Sequence, residues 1–157
     1  MSFASSLKSL QTKKELTFLL VGLDNSGKTT IITNLCNIKE KILPTFGYKK
    51  YYLTRNNLNI KILDIGGQEC FREYWFNYYG LVNGIIFVID MSDKRDFLKY
   101  FEGYKKSIPL LIYGNKKDLG DIDLKVEGNV KFLKVCAIKN EGLEEGIDWL
   151  INQCINL

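Results

Sequence analysis

The 157-residue chain contains no histidine. Nucleophilic machinery of the Ser/His/Asp or Cys/His type needs an imidazole to move a proton, so these hydrolase classes are excluded. The chain also lacks CxxC spacing and Cys/His pairs, which are typical of structural zinc sites. Its four cysteines are Cys36, Cys70, Cys136 and Cys154. We therefore expect free thiols and no zinc.

Long apolar runs are also lacking, since the longest stretches are far too short to span a bilayer. The first residues do not follow the basic, apolar and small-residue order of a signal peptide, which predicts a reducing cytoplasmic setting. A hydrophobic fraction of 46% in 157 residues suits one globular domain with a sizeable core. We expect this domain to span residues 15–157, after a short segment at 1–14.

The positive charge is mild and dispersed. The net charge is +4, and the lysine pairs are scattered rather than forming one block. We therefore expect no nucleic-acid partner. A weak attraction to an anionic membrane or to an acidic protein stays open.

Short apolar runs rich in β-forming residues alternate with polar or helical stretches. The runs are Leu16 to Val21, Leu58 to Leu63, Ile85 to Ile89, Pro109 to Tyr113 and Val130 to Cys136. Runs of this kind indicate a mainly parallel sheet that is covered on both faces, as in doubly wound α/β folds. A tight turn at 55–57 predicts a hairpin that adds one antiparallel edge strand, at Tyr48 to Thr54, for a six-stranded sheet. Apolar spacing predicts helices after residue 28 and after residue 143.

A glycine-containing loop directly follows the first predicted strand. In such a loop, successive backbone N–H groups face one anion, Lys28 reaches the terminal phosphates and the hydroxyl of Thr29 ligates Mg²⁺. A plain strand-to-helix turn is the structural alternative. The predicted phosphate-binding residues are Gly22, Asp24, Asn25, Ser26, Gly27, Lys28, Thr29 and Thr30.

Two further motifs are predicted to lie beside this loop, because ligands of such sheets bind outside the carboxyl ends of the strands. Asp64 ends a strand and is placed to hold Mg²⁺ through water, and the N–H of Gly67 can meet a γ-phosphate. Thr45 lies in the polar segment after the first helix. It can complete the Mg²⁺ shell when a γ-phosphate is present, or it is a plain loop threonine.

The base is predicted from the ends of the last two strands. The motif Gly114-Asn115-Lys116-Lys117-Asp118 places the Asp118 carboxylate where it can accept both N–H groups on one edge of guanine, an edge that adenine does not present. Farther along, Cys136, Ala137 and Ile138 offer a backbone N–H to the guanine carbonyl. Together with Asn115 and Lys116, these residues predict GTP or GDP rather than ATP.

The motifs together resemble the Arf and Arf-like small GTPases. They are GLDNSGKTT at 22–30, PTFGY at 44–48, LDIGGQE at 63–69, NKKDL at 115–119 and CAIKNEGLEEGIDWL at 136–150. The resemblance covers nearly the whole chain. The tail and the first motif are similar to the Arf-like protein of the ciliary BBSome coat, whereas the segment around Asp64 and Tyr78 is similar to other Arf-like branches.

This resemblance implies a GTP/GDP switch that uses Mg²⁺ and acts in membrane, vesicle or ciliary trafficking. It implies slow hydrolysis, in which Gln68 positions water and Lys28 balances charge on the phosphoryl group. No arginine that could act as an arginine finger lies between Lys28 and Thr45, so a GTPase-activating protein (GAP) would supply one. Exchange factors, GAPs and effectors would contact the switch segments, with an aromatic effector triad that maps to Tyr48, Leu63 and Tyr78. Alternatives are a GTP-binding scaffold without effective hydrolysis and, less favoured, a P-loop kinase.

The chain departs from the family at several points. Leu63 replaces the family's tryptophan, which alters the triad, and the stretches at 91–108 and 119–135 are shorter than usual. Ser2 stands where N-myristoylation needs glycine. Phe3, Leu7 and Leu10 share one face of a possible short amphipathic helix, for which weak peripheral membrane contact or a frayed tail are the two interpretations.

Overall fold

The structure, a computed structural model, describes residues 14–41, 43, 47–95, 98–101 and 107–156. The segment at 1–13, for which an amphipathic helix and a frayed tail are the two interpretations, and Thr45 lie outside these residues. The six described strands are β1 (Glu15–Gly22), β2 (Tyr48–Arg55), β3 (Leu58–Ile65), β4 (Gly84–Asp90), β5 (Leu110–Asn115) and β6 (Val130–Lys134).

The strands form one sheet in the order β2-β3-β1-β4-β5-β6. Every neighbouring pair is parallel except β2 and β3, which are antiparallel. The predicted doubly wound sheet, with six strands and one antiparallel strand at its edge, is confirmed. Strand order reverses beside β1, and the carboxyl end of β1 is therefore the position at which ligands bind in such sheets.

The described helices lie between and after these strands. They are α1 (Lys28–Leu35), α2 (Glu69–Arg72), α3 (Trp75–Tyr78), a 3₁₀ turn (Leu98–Phe101) and α4 (Leu143–Ile155). The helices predicted after residues 28 and 143 are confirmed as α1 and α4. No described helix is both long enough and apolar enough to cross a membrane.

The sheet is covered on both faces because its central strands are apolar in both directions. Phe18 and Leu20 pack into a core cluster with side chains of α1 and α4. Their neighbours Leu19 and Val21 point to the other face and pack with Trp75 of α3. Since side chains alternate across a strand, an uninterrupted apolar run such as β1 needs a covered face on each side.

The hairpin between β2 and β3 has a two-residue loop. Arg55 pairs with Leu58 across the ladder, and the loop residues Asn56 and Asn57 have φ values of 51° and 60°. Two consecutive positive φ values are typical of the mirror-image turn that joins tightly paired strands, and asparagine tolerates this conformation. The hairpin tip is tied to α4, because Arg55 Nε lies 2.7 Å from Asp148 Oδ1.

The last parallel strand ends earlier than its apolar run. The run predicts a strand to Cys136, but β6 ends at Lys134. The N–H of Cys136 donates to the carbonyl of Glu141 and the N–H of Glu141 donates to the carbonyl of Cys136, so the chain turns there instead of continuing along β5. Between β5 and β6, residues 120–127 form no helix or strand, consistent with the short stretch in the sequence.

Candidate functional site

The loop between β1 and α1 lies at the carboxyl edge of the sheet. Asn25 and Gly27 have left-handed backbones, with φ values of 63° and 96°, and α1 begins at Lys28. A side chain at Gly27 would overlap the amide of Asn115, so both the backbone and the space require glycine. Left-handed residues curl a loop in the way that lets successive backbone N–H groups face one anion.

Lys28 is buried beside the end of β3. Its Nζ donates to Asp64 Oδ1 at 3.0 Å and also to the carbonyl oxygen of Ile65. Burial lowers the pKa of Lys28, and the adjacent Asp64 carboxylate opposes that shift. The predicted phosphate residue at the start of α1 and the predicted metal residue of β3 are therefore in direct contact.

The segment after β3 packs against the phosphate loop. The N–H of Asp24 donates to the carbonyl of Gly67 at 3.1 Å. A Cβ on Gly67 would lie 2.5 Å from the carbonyl oxygen of Gly22, so no larger residue fits here. The buried Trp75 also holds the turn at Gly66 and Gly67, because its indole N–H donates to the carbonyl of Gly66 at 3.3 Å.

Two arginines converge on Asp24, and the sequence analysis missed both. Arg72 Nη2 lies 2.7 Å and Arg95 Nη1 lies 2.8 Å from Asp24 Oδ1. Hydrogen bonding from Arg95 is the largest cause that lowers the pKa of Asp24, with a smaller contribution from Arg72. No motif identifies these arginines, because one follows the GGQ turn and the other follows β4.

The predicted base-reading residues brace the phosphate loop. Asn115 donates to the carbonyl of Ser26 at 2.9 Å, and its Oδ1 accepts the N–H of Ala137 at 3.0 Å. Lys116 Nζ donates to the carbonyl of Asn25 at 2.7 Å. The base end and the phosphate end of the site are thus joined through the protein.

Lys116 is itself held by a carboxylate at the end of β4. Its Nζ lies 2.8 Å from Asp90 Oδ2. Burial alone would raise the pKa of Asp90, but hydrogen bonds from Lys116 and Ser92 lower it below its ordinary value. Sequence reasoning also missed this positioning carboxylate, for which the only indication was its place at a strand end.

The remaining base residues surround a small pocket. Cys136 Sγ lies 3.6 Å from Asp118 Oδ1, which places these two side chains in contact. The pocket has a volume of about 60 Å³. It is lined by Gly27, Thr30, Asn115, Lys116, Asp118, Leu119, Cys136, Ala137 and Ile138.

A larger cleft of about 520 Å³ adjoins that pocket. Its lining is Leu23, Asp24, Asn25, Ser26, Gly27, Lys28, Thr29, Thr30, Asp64, Gly67, Gln68 and Lys116. Gly27, Thr30 and Lys116 line both spaces. The structure therefore brings together every described residue that was predicted for the site, except that Gly22 lies just behind the loop.

The donors in the larger cleft suit Mg²⁺. Thr29 supplies a hydroxyl and Asp64 a carboxylate, and hard oxygen ligands of this kind are those that Mg²⁺ prefers. Phosphate oxygens and water ordinarily complete such a shell. These two residues fit the ion.

Gln68 lines the same cleft, and its buried Oε1 has no hydrogen-bond partner among the described residues. Of the predicted effector positions, Tyr48 is exposed. Leu63 and Tyr78 are half-buried and pack against the same core cluster.

Comparison with known proteins agrees with this geometry. The family model of the ADP-ribosylation factor family matches residues 3–154. ADP-ribosylation factor-like protein 3 of Caenorhabditis elegans is 33% identical over 96% of this chain and 95% of its own length. ADP-ribosylation factor 1 of Brassica rapa subsp. pekinensis is 35% identical over 96% of this chain and 94% of its own length.

Solved structures show the same fold. The Arl6 BBS3 small GTPase from Trypanosoma brucei, with bound nucleotide analogue GppNp, superposes with a TM-score of 0.75 at 22% identity, covering 91% of this chain and 99% of that one. The bacterial selenocysteine-specific elongation factor EF-Sec gives 0.74 at 22% identity, covering 92% of this chain and 29% of that one. The chain belongs to the ADP-ribosylation factor family of small GTPases, the GTP-binding and GTP-hydrolysing switches of intracellular trafficking.

Proposed function

We propose that this protein is a Mg²⁺-dependent GTP/GDP switch with slow intrinsic hydrolysis that relies on a GAP. The observation that carries the proposal is the continuity of the two pockets. Lys28 and Asp64, the proposed phosphate and metal residues, line the larger cleft, and Asp118, which is proposed to bind the base, lines the smaller pocket. One nucleotide can therefore occupy both.

The phosphate end of the site would bind the phosphates and balance their negative charge. Lys28 lies at the floor of the cleft, and its exchange of Asp64 for a phosphate oxygen would keep the buried ammonium paired. Mg²⁺, held by Thr29, Asp64 and, with a γ-phosphate, Thr45, would neutralise charge on the phosphates.

Gln68 is the residue proposed to position the attacking water. Its side-chain oxygen is buried at the cleft and without a partner among the described residues, and it can therefore accept a hydrogen bond from a water molecule. A residue that only orients water gives slow turnover until a partner adds positive charge to the transition state. That partner would be the arginine of a GAP.

The switch segments are the proposed contact surface for exchange factors, GAPs and effectors. Tyr48 on the edge strand is exposed, and the other two positions of the altered triad, Leu63 and Tyr78, are half-buried. The protein is proposed to be cytoplasmic, with reversible peripheral contact to the membrane in vesicle or ciliary trafficking. The tail and the first motif favour a ciliary role, whereas the segment around Asp64 and Tyr78 favours other Arf-like branches.

Single-turnover hydrolysis tests the proposal. The wild-type protein is loaded with radiolabelled GTP and Mg²⁺, and phosphate release is followed with and without Arf-family GAP domains. We expect slow basal release, acceleration by at least one GAP domain, and no acceleration in Gln68→Leu, which should still bind GTP. GTP that stays intact under all these conditions would instead indicate a GTP-binding scaffold. ATP preference in the same binding assay would indicate a kinase.

A further inference from the structure

The carboxylate of Asp24 joins two parts of the chain to the phosphate loop. Arg72 belongs to α2, in the segment that carries Gly67 and Gln68, and Arg95 follows β4. Both guanidinium groups donate to the same carboxylate oxygen, at 2.7 Å and 2.8 Å. The three residues form what we call the Asp24 latch.

Arg72 also holds Gly67 over the loop. Its Nε donates to the carbonyl oxygen of Gly67 at 3.0 Å, while Nη2 donates to Asp24. The same Gly67 oxygen accepts the N–H of Asp24 at 3.1 Å. The guanidinium of Arg72 therefore holds both residues of the Asp24–Gly67 backbone contact, which we call the closed contact. The Arg72 side chain is largely buried.

Arg95 anchors the loop side of this contact. Its Nη2 donates to the backbone carbonyl of Asp24 at 2.8 Å, in addition to the ion pair with the carboxylate. Asp93 in turn orients Arg95, since its Oδ2 accepts from Arg95 Nε at 2.8 Å. Because a guanidinium held at several nitrogens keeps one orientation, it positions Asp24 rather than merely neutralising it.

The closed contact occupies a backbone donor of the phosphate loop, because the N–H of Asp24 donates to the carbonyl of Gly67. In the proposed placement of the nucleotide, Asp24 would lie at the γ-phosphate end of the loop, so the contact would compete with a γ-phosphate and not with the two inner phosphates. A γ-phosphate that takes this N–H would face the carbonyl dipole and must displace Gly67, which also breaks the bond from Arg72. In the same placement, a diphosphate bound farther along the loop would leave the contact intact.

We propose that Arg72 and Arg95, acting through Asp24, set the preference of the site for GDP over GTP by latching Gly67 onto the phosphate loop. This inference rests on the proposed placement of the nucleotide. Arg72 and Arg95 are positioning residues in this proposal, and they need not touch the phosphates. Opening of the latch is the step that a γ-phosphate must drive.

The test compares affinities for two nucleotides. Fluorescent GDP and fluorescent GppNHp are titrated, at fixed Mg²⁺, against wild type, Arg72→Ala, Arg72→Lys and Arg95→Ala. The ratio of the GDP affinity to the GppNHp affinity is expected to fall by about 5- to 30-fold in Arg72→Ala, a range typical of coupled sites. The affinity ratio of Arg72→Lys should lie between those of wild type and Arg72→Ala. An ammonium can pair with the Asp24 carboxylate, but it cannot also donate to the carbonyl of Gly67 as the guanidinium does.

Lys131→Ala is the matched control, since it removes an ion pair with Glu145 at the other end of the sheet. The ratio of GDP affinity to GppNHp affinity in this control should equal that of wild type. In the Arg72 and Arg95 variants, the GDP affinity itself should change by less than about twofold. Thermal melting with GDP bound checks that each variant is folded. If Arg72→Ala does not fold, the affinity ratio of Arg72→Lys is used to test the latch.

An unchanged ratio, or a shift toward GDP, in folded Arg72 and Arg95 variants would overturn the latch. This failure is distinct from a failure of the proposed function, in which the wild-type protein would bind neither nucleotide. An effect of Arg95→Ala on hydrolysis alone, with the ratio unchanged, would also reject the latch.

Discussion

The side chains of Lys28 and Asp64 meet at 3.0 Å although 36 residues separate them in the sequence. Both are buried, with exposed fractions of 9% and 2%. A buried ion pair adds little over an apolar pair, but removing one partner leaves the other charge buried and uncompensated. The Lys28–Asp64 pair of the nucleotide site therefore also affects the stability of the nucleotide-free protein.

Lys28→Met should lower the free energy of unfolding of nucleotide-free protein by about 3 kcal/mol, because it removes the ammonium that pairs with the buried Asp64 carboxylate at 3.0 Å. Urea unfolding with EDTA, after removal of bound nucleotide, measures this. Combining Lys28→Met with Asp64→Asn should recover part of the loss. Additive losses in the double variant would show that the pair is not coupled.

Asp118→Asn should weaken GDP binding by at least about 2 kcal/mol, because a charge-assisted contact to the guanine edge is replaced by an amide. Xanthosine diphosphate should bind better than in wild type. Competition titration measures both affinities, and Asp121→Asn, an exposed aspartate that pairs with Lys134, is the control. Equal GDP affinity in Asp118→Asn and wild type would reject the base assignment.

Gly146→Ala should destabilise the domain by about 2 kcal/mol through overpacking. A Cβ at this position of α4 would lie 2.5 Å from the ring of Tyr113. That ring is buried and fixed, because its hydroxyl donates to the carbonyl of Leu143 at 2.6 Å. Thermal or urea unfolding measures the loss. Asn152→Ala, at an exposed position of the same helix, should change stability by less than about 0.5 kcal/mol.

Two cysteines should resist alkylation in the folded protein. Burial raises the pKa of the Cys36 and Cys154 thiols to about 11. At pH 8 the reactive thiolate fraction is then roughly two hundredfold below that of an ordinary thiol, and reactivity should keep rising up to about pH 11. Peptide mass mapping after iodoacetamide treatment measures this, with urea-unfolded protein as the control. Labelling of both thiols at the unfolded rate would contradict the shift.

GTP-loaded protein should cosediment with anionic liposomes better than GDP-loaded protein. The motivation is the sequence pattern of Phe3, Leu7 and Leu10, which lies outside the described residues. In the Arf-like interpretation, GTP moves the β2-β3 hairpin into the place of this segment and releases it. Three apolar side chains by themselves give only weak, reversible attachment. Phe3→Ala with Leu7→Ala should remove the difference, and equal sedimentation of both nucleotide states would favour a frayed tail.

Local patterns in the amino-acid sequence were enough to predict the sheet and most of the site. Uninterrupted apolar strands require cover on both faces, so their alternation with helical stretches specifies a doubly wound fold. In that fold the strand ends converge, and Lys28, Asp64 and Asp118, each next to a strand end in the sequence, meet at one edge. These placements depend on local patterns together with one topological rule.

Tertiary structure alone decided where the chain turns away from the sheet and what holds Asp24. The early end of β6 follows from mutual hydrogen bonds between Cys136 and Glu141, for which the apolar run gave no indication. Arg72 and Arg95 lie 48 and 71 residues from Asp24. Long flexible side chains on segments outside the strands follow no sequence period, and only the packing of those segments against the phosphate loop brings their charges to one carboxylate.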